Sequence, residues 1–424
     1  MLFGIPKKLL LGYVALAIFM AGDGFDLTFL SHFLVVEQGF APTSAGAVFT
    51  VYGLLAGFSA WTTGVLAERY GAKRLMLIGG VSWIILHIIF LTIGLGSPLA
   101  AILTYGLRGL SYPLFMYSFV VLIATSVPPA RLASAMGWFW TAFSFGLGTL
   151  GAYLPSLTVP QIGELGTLWL SPVFVAAGTI LCAIGVPSHT RPSADEGEDN
   201  IRELLRGVTI LVENPQIARA VVIRVLCNIT MYGFPMLMPL YLTGKIADSR
   251  EWYTQEEWMR AWALMSAICL VANVVWGRLG DKFGWMRQMR WFGFGGMILA
   301  TLAFGYGPRL SEGSDLALLG AAVLFGCSVT AFVPMGAIFP ALAPNHPGAA
   351  ISAHNLASGL TTFIGPGIAT VLLPLIGPQG VLWTYCGLFL LGFALTFIIR
   401  PYQPGITDET GRSLPRAERA NARA

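Results

Sequence analysis

Apolar runs of about 20 residues recur along the whole 424-residue chain, separated by short breaks rich in charge, proline or glycine. That is the length a helix needs to cross the roughly 30 Å hydrocarbon core of a bilayer. Twelve runs are read, at approximately 9–36, 44–66, 74–94, 99–126, 132–153 and 168–187, then 216–243, 258–279, 288–307, 315–342, 348–375 and 380–400. They predict an all-α membrane protein of twelve transmembrane helices in two six-helix bundles, residues 1–187 and 215–400. Between the bundles, 188–214 carries nine charges and reads as a cytoplasmic linker. The tail, 401–424, is rich in proline and charge and is expected to be disordered.

Composition sharpens the class. Only 11% of residues are charged, against about 25% in a soluble domain. Such a chain cannot build the charged shell that a soluble enzyme or a nucleic-acid binder of this size requires. Cys182, Cys227, Cys269, Cys327 and Cys386 all fall inside apolar runs, with no spacing that suggests a metal site or a redox pair. Lys7 and Lys8 precede the first run, which is too long for a signal peptide and has no small-residue cleavage pattern. If both termini are cytoplasmic, nineteen basic residues fall on that side and four on the other, with Arg108 and Arg224 inside spans. The excess predicts cytoplasmic termini.

An internal repeat follows. Gly64-Val-Leu-Ala-Glu68-Arg69-Tyr-Gly71-Ala-Lys73-Arg74 joins spans two and three, and Gly277-Arg-Leu-Gly-Asp281-Lys282-Phe-Gly284-Trp-Met-Arg287 joins spans eight and nine. Gly64 and Gly277, Glu68 and Asp281, Gly71 and Gly284, Arg74 and Arg287 are each 213 positions apart, about half the chain. Parallel six-helix repeats are the organisation of major facilitator transporters, and each loop resembles that superfamily's signature. Glu68 stands where the usual residue is Asp, and Met286 where a base is usual. The resemblance implies a gating latch that releases for alternating access.

A charge at mid-bilayer costs about 2.5–3.5 kcal/mol on insertion scales, so each one asks for a reason. Asp23 and Asp26 in span one, Arg108 in span four and Arg224 in span seven qualify, and their charges sum to zero. Asp23 and Asp26 are three apart, so one helix face would carry both, and Gly22 and Gly24 loosen the helix there. Arg108 has Tyr105 and Tyr112 on its face. A guanidinium that approaches and leaves a carboxylate makes a proton switch, so Asp23 or Asp26 is expected to carry the coupled proton, with Arg108 controlling it. The alternative is a permanent Asp–Arg pair that only fixes helix packing.

On span seven, Arg224, Asn228 and Tyr232 recur at i, i+4 and i+8, leading to Pro235, where a bend is expected. Span eleven offers His354, Asn355 and Ser358, then Gly365-Pro366-Gly367 as a second breaking point. Amide and imidazole groups both donate and accept, which suits a hydroxylated ligand, although polar residues also bond helix to helix. Trp138 and Trp140 could floor the site for a sugar-like carbon chain, and Tyr117 could add a hydroxyl. Trp252 and Trp258 read as interface anchors, His87 and Asn273 as structural or unassigned, and His32 as either.

Longer stretches are more specific. Met20-Ala-Gly-Asp-Gly-Phe-Asp-Leu-Thr-Phe-Leu-Ser-His-Phe33, Met136-Gly-Trp-Phe-Trp140 and Pro155 to Trp169 resemble the polyol permease family, as do Ala331 to Met335, Phe339 to Leu342 and Pro344 to Ser352. Arg224 and Asn228 also match. That family groups bacterial ribitol and D-arabinitol transporters with some 2-oxoglutarate permease relatives, and the likeness covers roughly 10–187 and 216–405. It implies proton-coupled uptake of a pentitol across the bacterial inner membrane by a monomer, with no cofactor and no nucleic-acid partner. Asp26, Tyr112, Tyr117, Trp140, Arg224, Asn228, Tyr232, His354 and Asn355 are the expected substrate contacts. Span five also lacks the Gly-Pro pair that antiporters of the superfamily often carry. A carboxylate permease, with Arg108 and Arg224 clamping an anion, is the rival within transport. A non-transporting membrane sensor is the rival outside it, and no nucleophile–base arrangement suggests an enzyme.

Overall fold

The structure, a computed structural model, describes residues 7–127, 129–187, 208–408, 411, 412 and 414. Among them, eight helices are long and apolar enough to cross a membrane. Two of these, Ala135–Gly185 and Ala349–Leu395, have 51 and 47 residues. Straight helices of that length would measure roughly 70–76 Å at 1.5 Å per residue, far more than one crossing needs. Each is broken by one glycine at positive φ, Gly163 (φ 73°, ψ 171°) and Gly377 (φ 65°, ψ 177°). Side-chain-bearing residues avoid that region, so each long helix doubles back as two spans. Span one is assembled from Leu10–Gly24, a turn, Leu30–His32 and Phe33–Glu37, and span nine from Trp285–Gln288, Met289–Gly295 and Gly296–Leu310. Among the described residues the total is twelve spans.

The halves repeat in detail. Gly71 (φ 92°, ψ 126°) and Gly284 (φ 97°, ψ 131°) close the two signature loops with nearly the same backbone, 213 positions apart. The breaks at Gly163 and Gly377 are 214 apart. One buried cluster, containing Phe19, Trp83, Phe115, Phe119 and Phe139, lies within the first half. The other centres on Phe234, Trp258, Trp262, Phe304 and Phe325 and crosses the boundary to take in Phe29, Phe33 and Phe49. The part of it that crosses the boundary lies at the end of the bundle opposite the signature loops.

Hydrogen bonds reinforce that end. Gln255 Nε2 and Trp258 Nε1 both donate to the Thr28 carbonyl at 2.9 Å. Ser31 Oγ donates to the Pro235 carbonyl at 3.1 Å, which is available because Pro239, four residues on, has no N–H to claim it. Spans two and eleven touch backbone to backbone where Gly57 meets Gly359, and Thr362 Oγ1 donates to the Gly53 carbonyl at 2.6 Å.

Several expectations change. Span seven runs through Pro235 and breaks instead at Asn228 (φ −119°, ψ 16°). Pro366 sits inside a continuous helix, and the break in that element comes at Gly377. Gly22 and Gly24 serve close packing more than looseness: a Cβ there would strike the backbone of Ser171 and of Leu147. Trp258 is fully buried at the seal between the halves and is no interface anchor. The start of the tail is ordered: Gln403 accepts from the Trp285 N–H at 2.8 Å and donates to the Gly280 carbonyl at 3.0 Å, pinning it to the second signature loop. Asp281 of that loop accepts from Trp285 Nε1 at 3.4 Å, a contact within its own half. Residues 188–207 of the expected linker lie outside the described residues.

Candidate transport site

Two polar constellations emerge, one buried and one open. In the first, helix Leu10–Gly24 ends beside Asp23, and Asp26 lies in the turn that follows. Both carboxylates are buried, at 5% and 1% exposure. They take different partners. Arg108 Nη1 donates to Asp26 Oδ2 at 2.6 Å, a pair almost sealed from solvent. Asp23 Oδ1 accepts from Trp83 Nε1 at 2.6 Å and from the Tyr52 hydroxyl at 3.3 Å, both neutral donors.

Arg108 is caged. Its guanidinium carbon lies 4.0 Å from the Tyr105 ring centroid, 4.6 Å from Trp83 and 5.3 Å from Tyr52. Rings around a desolvated cation each contribute on the order of 2 kcal/mol. The same Nη1 donates to His87 Nδ1 at 2.6 Å, which leaves the ring proton on Nε2, within 3.1 Å of the Leu168 carbonyl. That carbonyl is free because Pro172 cannot donate to it. His87 is therefore a neutral acceptor wedged between an arginine and a proline-freed carbonyl, stacked 4.6 Å from Trp83. Tyr112 stacks on Tyr52, with ring centroids 6.0 Å apart.

The second constellation lines a cavity of about 820 Å³ between the halves, on the side of the signature loops. Trp138, Trp140, Arg224, Asn228, Asn273 and His354 are in its wall. Phe139 faces the opposite way and is fully buried near Phe119, so span five presents its tryptophans to the cavity and its phenylalanine to the core. Arg224 is shared among three neighbours. Its Nε donates to His354 Nε2 at 3.1 Å and its Nη2 to Ser358 Oγ at 2.9 Å. With the Asn228 amide turned to satisfy both of its ends, its oxygen accepts from Nη1 at 3.2 Å. His354 then carries its proton on Nδ1, facing Asn355 Oδ1 at 3.3 Å. Among the described residues no carboxylate pairs with Arg224.

The structure thus gathers Trp140, Arg224, Asn228 and His354 at one cavity and places Asn355 behind His354. Asp26 is not in the cavity wall but locked to Arg108. Tyr232 departs from the Arg224–Asn228 stripe because the break at Asn228 interrupts the helical phase; like Tyr117, it is near enough to Arg224 to feel its charge but does not line the cavity. Sequence reasoning missed Tyr52, Trp83 and His87 as partners of the buried acids and base. His87 carried a signal: a polar residue in an apolar run, one helical turn from a tryptophan. Asn273 is a cavity residue.

The Major Facilitator Superfamily model matches residues 11–330 and, again, 257–421. The chain belongs to that superfamily. It is 43% identical over 412 residues to the ribitol transporter of Klebsiella pneumoniae, covering 96% of this chain and 95% of the relative. To the D-arabinitol transporter of the same organism it is 41% identical, covering 98% and 97%. The alpha-ketoglutarate permease of Bacillus subtilis (strain 168) is 36% identical, covering 93% and 89%. A crystal structure of a mutant of the nucleoside transporter NupG superposes with a TM-score of 0.74 at 16% identity, covering 93% of this chain and all of that one. The resemblance to the polyol permease family holds over nearly the full length, and the fold is that of the superfamily. This major facilitator is a multi-pass membrane transporter and not an enzyme.

Proposed function

We propose that this transporter imports a pentitol such as ribitol or D-arabinitol together with a proton, by alternating access in the bacterial inner membrane. The observation that carries the reading is the cavity wall. Arg224, Asn228, Asn273 and His354 offer donors and acceptors beside the apolar faces of Trp138 and Trp140, a surface that matches a chain of hydroxyl-bearing carbons. The identities to the ribitol and D-arabinitol transporters support it. With cytoplasmic termini, the seal at Thr28, Gln255 and Trp258 faces outward and the cavity faces the cytoplasm. Asp23, held by neutral donors, is the proton carrier, and Asp26 is the fixed partner of Arg108. The proton gradient is the energy source, no cofactor takes part, and the monomer is the working unit.

A carboxylate permease is the second reading, favoured by the lack, among the described residues, of a carboxylate paired with Arg224 and by the alpha-ketoglutarate permease relative. Uptake of labelled ribitol into proteoliposomes, with and without a proton gradient, separates the two. Competition by pentitols and not by 2-oxoglutarate is expected. Concentrative uptake of 2-oxoglutarate with no response to any polyol would overturn the proposal. Retained proton flux in Asp23→Asn would overturn its proton carrier.

A further inference from the structure

Two cavities lie side by side where span nine begins and span twelve ends, apart from the transport site. One, of about 500 Å³, is an apolar groove walled by Trp276, Leu279, Phe283, Trp291 and Phe292. The other, of about 390 Å³, includes Arg287, Arg290, Arg400 and Arg412 in its wall. They share Phe283, Arg287 and Trp291. Phe283, Trp291 and Phe292 are 55%, 58% and 53% exposed, large apolar faces left open at one place. Arg290 is fixed by Thr396, which accepts from its Nε at 2.8 Å and, through the carbonyl, from its Nη2 at 3.0 Å, and its guanidinium rests 3.5 Å from the Phe397 ring. None of the four arginines has a carboxylate within ion-pair distance among the described residues. Asp408 accepts from the Arg412 main-chain N–H at 2.9 Å, but neither it nor Asp281 lines the cradle.

The geometry points to a binding site for one anionic phospholipid, its phosphate among the arginines and an acyl chain in the aromatic groove. Four clustered cations with no carboxylate at ion-pair distance among the described residues favour an anion, and the shared apolar wall suits an anion that carries a hydrocarbon chain. The site lies on the face expected to be cytoplasmic, where basic pockets between spans meet anionic headgroups. The bound phosphate would tie the second signature loop to the segment after span twelve, which already touch through Gln403.

The test offers the purified full-length transporter equal amounts of phosphatidylglycerol and phosphatidylethanolamine and counts retained lipid by native mass spectrometry, a readout independent of transport. At least fivefold enrichment of phosphatidylglycerol is expected, falling below twofold in Arg287→Gln/Arg400→Gln/Arg412→Gln. Should that variant aggregate, Arg412→Gln alone is expected to lower the enrichment at least twofold. Equal retention of both lipids by the wild type, or a preference that survives these substitutions, would overturn the site. Full displacement of the lipid by glycerol phosphate would assign the cradle to a soluble anion and overturn the lipid.

Discussion

Replacing Asp26 by Asn keeps the shape of the side chain and removes its charge, leaving the Arg108 guanidinium buried without its paired carboxylate and with only Asp23, which it does not contact directly, as a nearby negative group. The pair is separated by 2.6 Å. At an effective dielectric of about 20, the Coulomb attraction at that distance is roughly 6 kcal/mol. Part of it only offsets desolvation, and breaking one side of a buried pair typically costs about 3–5 kcal/mol. What would remain to Arg108 is neutral or more distant: the faces of Tyr105, Trp83 and Tyr52, one acceptor on His87 and the charge of Asp23, while its Nε has no partner. The double variant Asp26→Asn/Arg108→Gln removes both charges, so it should recover about 2–3 kcal/mol of the summed single losses, a coupling within the range seen for residues in contact. With unfolding entropy near 2.1 cal/mol/K per residue, a loss of ~4 kcal/mol lowers Tm by about 5 °C. Thermal unfolding of the four proteins in one detergent measures the cycle. Additive losses, with the double variant as unstable as the two singles combined, would refute the account of Arg108 as a charge that Asp26 chiefly balances.

Asp23→Asn retains an acceptor for Trp83 and Tyr52, so its Tm should fall by no more than about a third as much as in Asp26→Asn, while proton-driven accumulation is lost; parallel melting and uptake curves check this. Gly163→Ala and Gly377→Ala each force a side chain into a positive-φ region essentially restricted to glycine and should cost about 1–3 kcal/mol, whereas Gly307→Ala, with open space around its added Cβ, should leave the melting curve within about 1 °C. Arg224→Lys should raise the KM for ribitol about as much as Arg224→Gln, roughly tenfold or more, because a single ammonium cannot hold His354, Ser358 and Asn228 at once. Trp258→Phe, which removes one of two donors to Thr28, should shift the transporter toward its outward-open form, read as at least twofold faster hydrogen–deuterium exchange over residues 28–34.

The spans and the repeat were legible because membrane crossing imposes a length and a polarity that few residues can break. The buried acids and Arg108 stood out for the same reason. What escaped was phase. Arg224, Asn228 and Tyr232 form a stripe only on an uninterrupted helix, and Asn228 is where the helix stops. Proline misled in a related way: Pro235 and Pro366 suggest bends, yet the helices pass through them. Pro172 and Pro239 act instead by leaving a carbonyl four residues back without its usual donor. Which distant side chain uses that carbonyl, His87 in one case and Ser31 in the other, depends on packing between spans that no local pattern encodes. Trp83 and Tyr52 were invisible as partners of Asp23 because tryptophan and tyrosine are ordinary residues of apolar helices, and only their hydrogen bonds distinguish them.

The seal between the halves has a property of its own. Each hydrogen bond described there runs from a side chain on one half to a main-chain oxygen on the other: Gln255 and Trp258 to Thr28, Ser31 to Pro235, Thr362 to Gly53. At Gly53 an added Cβ would strike the Thr362 backbone, but the Thr28 main-chain oxygen survives substitution of its own residue, so there only the donor side can be tuned. Position 239 differs. A residue with an N–H there would offer the Pro235 oxygen a partner within its own helix, in competition with Ser31. The rate at which this gate reopens is therefore adjustable through a ring that donates nothing.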